Sequence, residues 1–399
     1  MASRSFLILI LAGGLISLVA MGSRAAFGLF LEPVSSDLGW GREVFGLALA
    51  IQNIVWGLSQ PFASAIADKY GSGKTLLVSS LVYAAGLFLM SQTSSPTELH
   101  MSAGVMIGLG LSGTGFGVVI GSVGRAVAEE KRSMALGIVG ASGSLGQFLM
   151  VPLGQAFLSG YGWSMALVLI GLCSLLMIPA AAGVTGRAED SGSIGAASLS
   201  AAIREAAGNR SYWLLFMGFF VCGFHVTFLA VHLPAYIVDQ NVAAKYGAIA
   251  LSIVGLFNVI GSLSAGYLGG KYSKKYLLSG LYFARAALFV AFILVPISPL
   301  TVIIFSAILG LLWLSTVPLT SGLVAVLFGP KYMTTLFGFV FFGHQIGAFL
   351  GAWLGGFVFD LYGSYDVVWW MSVALGLISG LLHWPIQENM PVQRAAATG

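Results

Sequence analysis

The sequence predicts an all-α membrane protein, with twelve transmembrane helices arranged as two pseudo-symmetric six-helix bundles. Three observations lead there. Hydrophobic residues make up 58% of the 399 residues and charged ones 8%, against about 25% charged in soluble domains; the mean hydropathy is +0.94. The apolar residues gather into runs of about 20, the length that crosses a hydrocarbon core. Finally, the chain repeats itself at an offset of 201–202 residues: Gly146, Phe148, Gly154 and Tyr161 return as Gly347, Phe349, Gly355 and Tyr362. Such a repeat implies two equivalent halves about an axis along the membrane normal, with a site between them.

Taken in order, the runs fall near 6–31, 44–66, 75–93, 100–123, 133–158, 163–184, 211–236, 244–268, 276–296, 299–326, 333–358 and 365–386. The first is too long for a signal peptide and lacks a clear small-residue cleavage site, so it counts as a helix. One long hydrophilic break, 185–210, reads as a cytoplasmic linker between an N-terminal bundle, 1–184, and a C-terminal bundle, 211–399. With both termini inside, most of the 18 Lys and Arg residues are cytoplasmic, while only Arg42 and Lys245 lie opposite. That bias orients the chain in the plasma (inner) membrane. The net charge of +4 sits in short loops and gives no reason to expect nucleic acid as a partner. Cys173 and Cys222 lie within apolar runs, so no disulfide is expected.

The polar residues inside these runs carry the functional information. Arg24 stands midway along the first span, about 12 Å or more from either surface at 1.5 Å per residue. An Arg at mid-bilayer costs about 2.5–3.5 kcal/mol on insertion scales, so it should face a polar cavity or a partner. None of the 14 Asp and Glu residues lies at that depth; Glu32 comes closest. In the second span Gln52, Trp56 and Gln60 share a face, with Asn53 beside them. His225 in the seventh span occupies the repeat position of Arg24. Asn258 follows in the eighth span, Arg285 in the ninth, and His344 with Gln345 in the eleventh. Glycines 343, 347, 351 and 355 form a ridge on that eleventh span, which reads as close helix packing.

Between the second and third spans stands Ser64-Ala-Ile-Ala-Asp68-Lys69-Tyr-Gly71-Ser-Gly-Lys74, echoed by Gly266-Tyr-Leu-Gly-Gly270-Lys271. This resembles the signature loop of the major facilitator superfamily, Gly-x-x-x-Asp-Arg/Lys-x-Gly followed by basic residues. Ser64 replaces the leading Gly in the first copy, and Gly270 replaces the Asp in the second. The resemblance implies a cytoplasmic latch at Asp68, Lys69, Gly71, Lys74 and Lys271. A nucleotide-binding loop at Gly71–Thr75 is rejected, because Asp68 stands where its first Gly is required and no strand precedes it.

The segment from Arg24 to Glu32 looks like the first-span pattern of the monocarboxylate transporter family, in which a Lys stands eight residues before a Glu. Arg24 takes that Lys position, and the family implies substrate and proton handling there. Animal members carry an Asp and an Arg in the eighth span where this chain has Asn258 and Ser262. The family's charged pair is therefore absent and its coupling cannot be copied over. The short loops look closer to prokaryotic relatives, including oxalate/formate exchangers.

The expected function is secondary active transport of a small organic anion, a monocarboxylate, by alternating access with proton coupling, as symport or as exchange. Substrate-binding candidates are Arg24, His225, Arg285, His344, Gln52, Asn53, Trp56 and Asn258, with His225 and His344 as proton carriers. Arg–carboxylate bonds would supply affinity and orientation, while Phe27, Trp56 and Phe228 would hold the organic part. No cofactor, metal or catalytic cluster is expected. The rivals are a proton-coupled drug or cation exporter, which wants a membrane-embedded acid, and a non-transporting sensor, which wants an extramembrane domain.

Overall fold

The computed structural model describes residues 6–127, 129–184, 196–329 and 333–388. Inside a bilayer, backbone N–H and C=O groups must find partners within the protein, which leaves helices or closed barrels. Among the described residues there is no strand, and helices follow one another with short turns.

The first span is α1 (Phe6–Ala25), a 3-10 turn at Phe27–Phe30 and α2 (Leu31–Leu38); it runs past the expected end at residue 31. Next come α3 (Arg42–Tyr70) and α4 (Ser72–Met90). The fourth span is segmented into α5 (Pro96–Leu99), a π-helical stretch at His100–Met106, α6 (Ile107–Thr114) and α7 (Phe116–Ala126). A long α8 (Glu129–Ser174) carries the fifth span and most of the sixth, turning at Gly162, where φ is 76°; α9 (Met177–Gly183) completes it. Of the expected linker, 185–195 lies outside the described residues, and the remainder holds a helix, α10 (Ala196–Gly208), rather than open coil.

The second bundle follows with α11 (Arg210–Asp239), α12 (Lys245–Lys271) and α13 (Lys274–Leu294). The tenth span breaks into α14 (Pro299–Leu312) and α15 (Thr316–Phe328), and α16 (Met333–Tyr362) and α17 (Asp366–His383) close the order. By length and hydropathy, ten stretches among the described residues suffice to cross a membrane. One of them, Met134–Gly183, holds two spans, and α3 falls short because Gln52, Asn53 and Gln60 interrupt its apolar run. The total is twelve.

Two hydrophobic cores form: one holds residues from Leu9 to Val184 together with Val231, Ala235, Ala248, Leu251 and Ala352 of the second bundle, and the other runs from Ala206 to Ile386. The glycine ridge of α16 packs within the second: a Cβ at Gly343 would sit 2.8 Å from the Phe216 ring, and Gly347 and Gly351 lie against the α11 backbone at Phe220 and Phe224. The ridge serves close packing, as expected.

The bundles meet along α3 with α16, α8 with α12, and the 3-10 turn with α11. At that last crossing Gly28 lies directly on the Ala230 carbonyl, leaving no room for a Cβ. The face opposite the termini, here the distal face, is tied shut. Asp360 of α16 accepts hydrogen bonds from the backbone N–H groups of Arg42 and Glu43, both at 2.8 Å. One bundle thereby caps a helix N-terminus of the other, where unpaired donors and the helix dipole favour a carboxylate. The Arg42 side chain enters the second bundle, bonding Asp239 at 2.5 and 2.7 Å and the Tyr365 hydroxyl at 3.0 Å, over the Phe359 ring at 3.7 Å. Trp353 adds a bond to Glu43 at 2.8 Å.

At mid-depth Gln147 donates to the Leu251 carbonyl (2.8 Å), Ser252 to that of Phe148 (2.8 Å) and Asn258 to Ser144 (2.9 Å). Toward the face bearing the termini the helix surfaces are more open. Gly137 and Gly140 of α8, Gly266 and Gly270 of α12, and Gly338 of α16 have no atom within 4 Å of where a Cβ would stand.

Candidate functional site

Arg24 ends α1 just before the 3-10 turn and is half-buried. Its Nη2 donates to Asn53 Oδ1 at 2.7 Å. The Asn53 amide is oriented by its other end, Nδ2 donating to the Leu49 carbonyl at 2.8 Å. The guanidinium carbon lies 5.2 Å from the Trp56 ring centroid, a cation–π arrangement. Arg24 Nε has no hydrogen-bond partner, and no carboxylate pairs with this cation among the described residues.

The second bundle meets this group through α16. Gln345 Nε2 donates to the Asn53 carbonyl at 3.1 Å, and Gln345 Oε1 lies 3.2 Å from His344 Nδ1. Phe341 stacks on His344 at 5.6 Å and takes the edge of Trp56 at 5.7 Å. Arg24, Asn53 and Trp56 are thus gathered with His344, Gln345 and Phe341 where the bundles touch. The arrangement offers a cation with spare donors, an aromatic wall and an imidazole. Among the described residues, no three His, Cys, Asp or Glu side chains are grouped to hold a metal.

The other candidates stand elsewhere. Gln52 donates to the Ala103 carbonyl at 2.7 Å, so it fastens α3 to the π-helical stretch instead of facing the seam. Asn258 is at the seam but separately engaged: besides Ser144, it accepts from Leu314 N–H at 2.9 Å and the Ser262 hydroxyl at 3.2 Å.

Arg285 requires a correction. It is 1% exposed and spends its donors on the end of α14. Nε reaches the Leu312 carbonyl at 3.1 Å, Nη2 the Leu312 and Trp313 carbonyls, and Nη1 the Cys222 sulfur at 3.5 Å. The tenth span breaks here because Pro318 has no N–H for the Leu314 carbonyl and its ring crowds it. The freed carbonyls at a helix C-terminus attract a cation. Arg285 is therefore a cap on a broken helix, not a free charge.

His225 requires another. Its Nε2 donates to the Ser372 carbonyl of α17 at 2.8 Å, and its ring meets Phe289 of α13 edge-on at 5.0 Å. It faces the interior of its own bundle and, although it holds the repeat position of Arg24, does not meet Arg24 across the axis. The repeat equates backbone positions, but the first span tightens into a 3-10 turn just beyond Arg24 while α11 continues as helix to Asp239. Phe27 and Phe228 are likewise core residues, Phe228 packing on Trp369 at 5.3 Å. His232 joins the distal seam, bonded to the Ala352 carbonyl at 2.7 Å and Tyr365 at 3.2 Å.

Asp68, Lys69, Lys74 and Lys271 are exposed on the face bearing the termini, and Gly71 turns the chain there with φ of 100°. Lys69 lies over Tyr70 and Lys271 over Tyr267. Sequence reasoning gave no role to Phe341 or to the distal ring of Arg42, Asp239, Asp360 and Tyr365. The available signal was a basic residue and two acids at helix ends that the topology brings to one face.

Comparison with known proteins bears on this geometry. The family model for the Major Facilitator Superfamily matches residues 13–352. An uncharacterized MFS-type transporter, YcxA of Bacillus subtilis, is 24% identical over 367 residues, covering 86% of each chain. Monocarboxylate transporter 13 of Bos taurus is 24% identical over 364 residues, covering 88% of this chain and 82% of the relative. Among solved structures, the inward open conformation of the xylose transporter XylE from E. coli superposes with a TM-score of 0.75 at 12% identity, covering 96% of both chains.

Proposed function

This chain belongs to the Major Facilitator Superfamily, and from that premise we propose that it carries a small organic anion, a monocarboxylate, across the membrane by alternating access with proton coupling. The observation that carries the reading is Arg24: a half-buried guanidinium with an unpartnered Nε, no described carboxylate beside it, and Trp56 under its face. A substrate carboxylate supplies the missing charge through charge-assisted bonds, and Trp56 and Phe341 offer an apolar wall to its organic part. Relatives named as monocarboxylate transporters support this choice of class.

With both termini cytoplasmic, the distal face is the external one. The bonded external seam and the more open glycine positions on the cytoplasmic side then fit an inward-facing state. Rocking of the bundles would exchange the Asp360 and Arg42 contacts for contacts on the other side. For the proton, His344 adjoins the Arg24 group, whereas His225 is enclosed in its own bundle; the carboxylate itself is the other carrier.

A cation exporter is the second reading, and its need for an embedded acid falls on Glu32, half-buried two turns beyond Arg24. Uptake into proteoliposomes separates the two. Labelled acetate, propionate, lactate and pyruvate are offered with and without an inward proton gradient, beside lipophilic cations. Saturable carboxylate uptake enhanced by the gradient supports the proposal; cation transport with indifference to carboxylates overturns it.

A further inference from the structure

Asn53 stands between the cation and the seam, and its bonds are determined by chemistry. A guanidinium only donates and a carbonyl only accepts. With Nδ2 given to Leu49, the oxygen must face Arg24, as found. That oxygen takes Nη2 alone; Nε, on the same edge of the fork, is buried without a partner. A neutral amide oxygen at one half of a bidentate edge is a weaker acceptor than a carboxylate able to span both.

Asn53 is also the residue gripped from the other bundle. Gln345, 0% exposed, donates to its backbone carbonyl and is itself braced by His344. Gly57 makes the approach possible: a Cβ there would stand 2.9 Å from Gln345 Cγ. The side chain that holds Arg24 and the backbone tied across the seam thus belong to one residue.

We propose that Asn53 is a positioning residue whose amide oxygen holds the Arg24 guanidinium until a substrate carboxylate displaces it onto the Nε/Nη2 edge, and that Gln345 couples this exchange to the seam. The inference rests on the reading that Arg24 binds the anion. It assigns Asn53 the role of an internal competitor, opposite in sign to that of a substrate ligand. Gln345 becomes a coupling residue that touches no substrate.

The test measures binding of acetate, propionate, lactate and pyruvate to purified full-length protein, and their uptake into proteoliposomes, alongside thermal unfolding. Asn53→Ala removes the competitor and should tighten carboxylate binding about 3- to 10-fold while lowering maximal uptake. Asn53→Asp places a permanent carboxylate on Arg24 and should weaken binding about 30-fold or more without lowering the unfolding temperature. Gln345→Leu should leave affinity within about 2-fold and cut maximal uptake about 10-fold, a split that lost packing alone would not give.

If Arg24→Ala abolishes binding but Asn53→Ala weakens it, Asn53 is a ligand and this inference falls while the anion reading stands. Wild-type affinity in Asn53→Asp also overturns the inference. If Arg24→Ala binds carboxylates as wild type does, or wild type binds none, the anion reading itself fails.

Discussion

Arg24 and Arg285 are two guanidinium groups inside one apolar scaffold, and the protein satisfies them differently. Arg285 gives its donors to Leu312, Trp313 and Cys222 and is almost fully buried. Arg24 has one amide oxygen, an unpartnered Nε and a half-buried setting at the seam. Residue type and depth do not separate them. The difference lies in how many donors the protein itself satisfies: a saturated cation stabilises the fold, and an unsaturated one has capacity left for a ligand.

The comparison can be broken first at Arg24. Arg24→Ala should abolish carboxylate uptake and cost on the order of 2–5 kcal/mol in binding, with little change in thermal stability. Arg24→Lys should keep part of the affinity, having the charge without the fork. Arg285→Met should show the converse. Two carbonyls at the end of α14 lose their donor, at about 1–3 kcal/mol each, so the unfolding midpoint drops while carboxylate affinity in the folded fraction stays within about 2-fold. A loss of affinity without a loss of stability in this variant would place Arg285 in the site.

A smaller effect is expected at the distal seam. Asp360→Ala removes the cap on α3, a change of about 0.5–2 kcal/mol, which shifts the ratio of closed to open external seam about 2- to 30-fold. Electron–electron resonance distances between labels at Ser36 and Asn241 should lengthen, and unchanged distances would deny the ring a gating role. The smallest effect falls at His225. His225→Phe removes one hydrogen bond to the Ser372 carbonyl, which keeps its partner within α17, at about 1 kcal/mol, with carboxylate affinity and its pH dependence unaltered.

Much of the candidate site was legible because hydrocarbon makes polar residues conspicuous. Arg24, Asn53, Trp56 and His344 stood out as groups that needed a partner or a wet cavity, and twelve spans followed from run length and the repeat. What the sequence did not convey was which way each group points. Arg285 stood among the candidates beside Arg24, since its acceptors are created by a helix break, and the sign of that break, Pro318, lies 33 residues away in sequence. His225 looked like the mate of Arg24 because a repeat records equivalent backbone positions and not the 3-10 turn of one copy. Arg42 read only as a charge on the face opposite the termini and nothing marked Asp239 or Asp360, since pairing across bundles depends on which ends the fold brings together.

The central claim is that the anion is held at Arg24 and not at Arg285. A halogen-tagged small monocarboxylate such as 2-bromopropionate, located by anomalous scattering in crystals of the full-length protein, tests it most directly. The account predicts a bromine peak beside Trp56 and Phe341, with the carboxylate on the Arg24 guanidinium and Asn53 turned aside. A peak at Arg285 and the α14 break, or no ordered ligand between the bundles at saturating concentration, would contradict it.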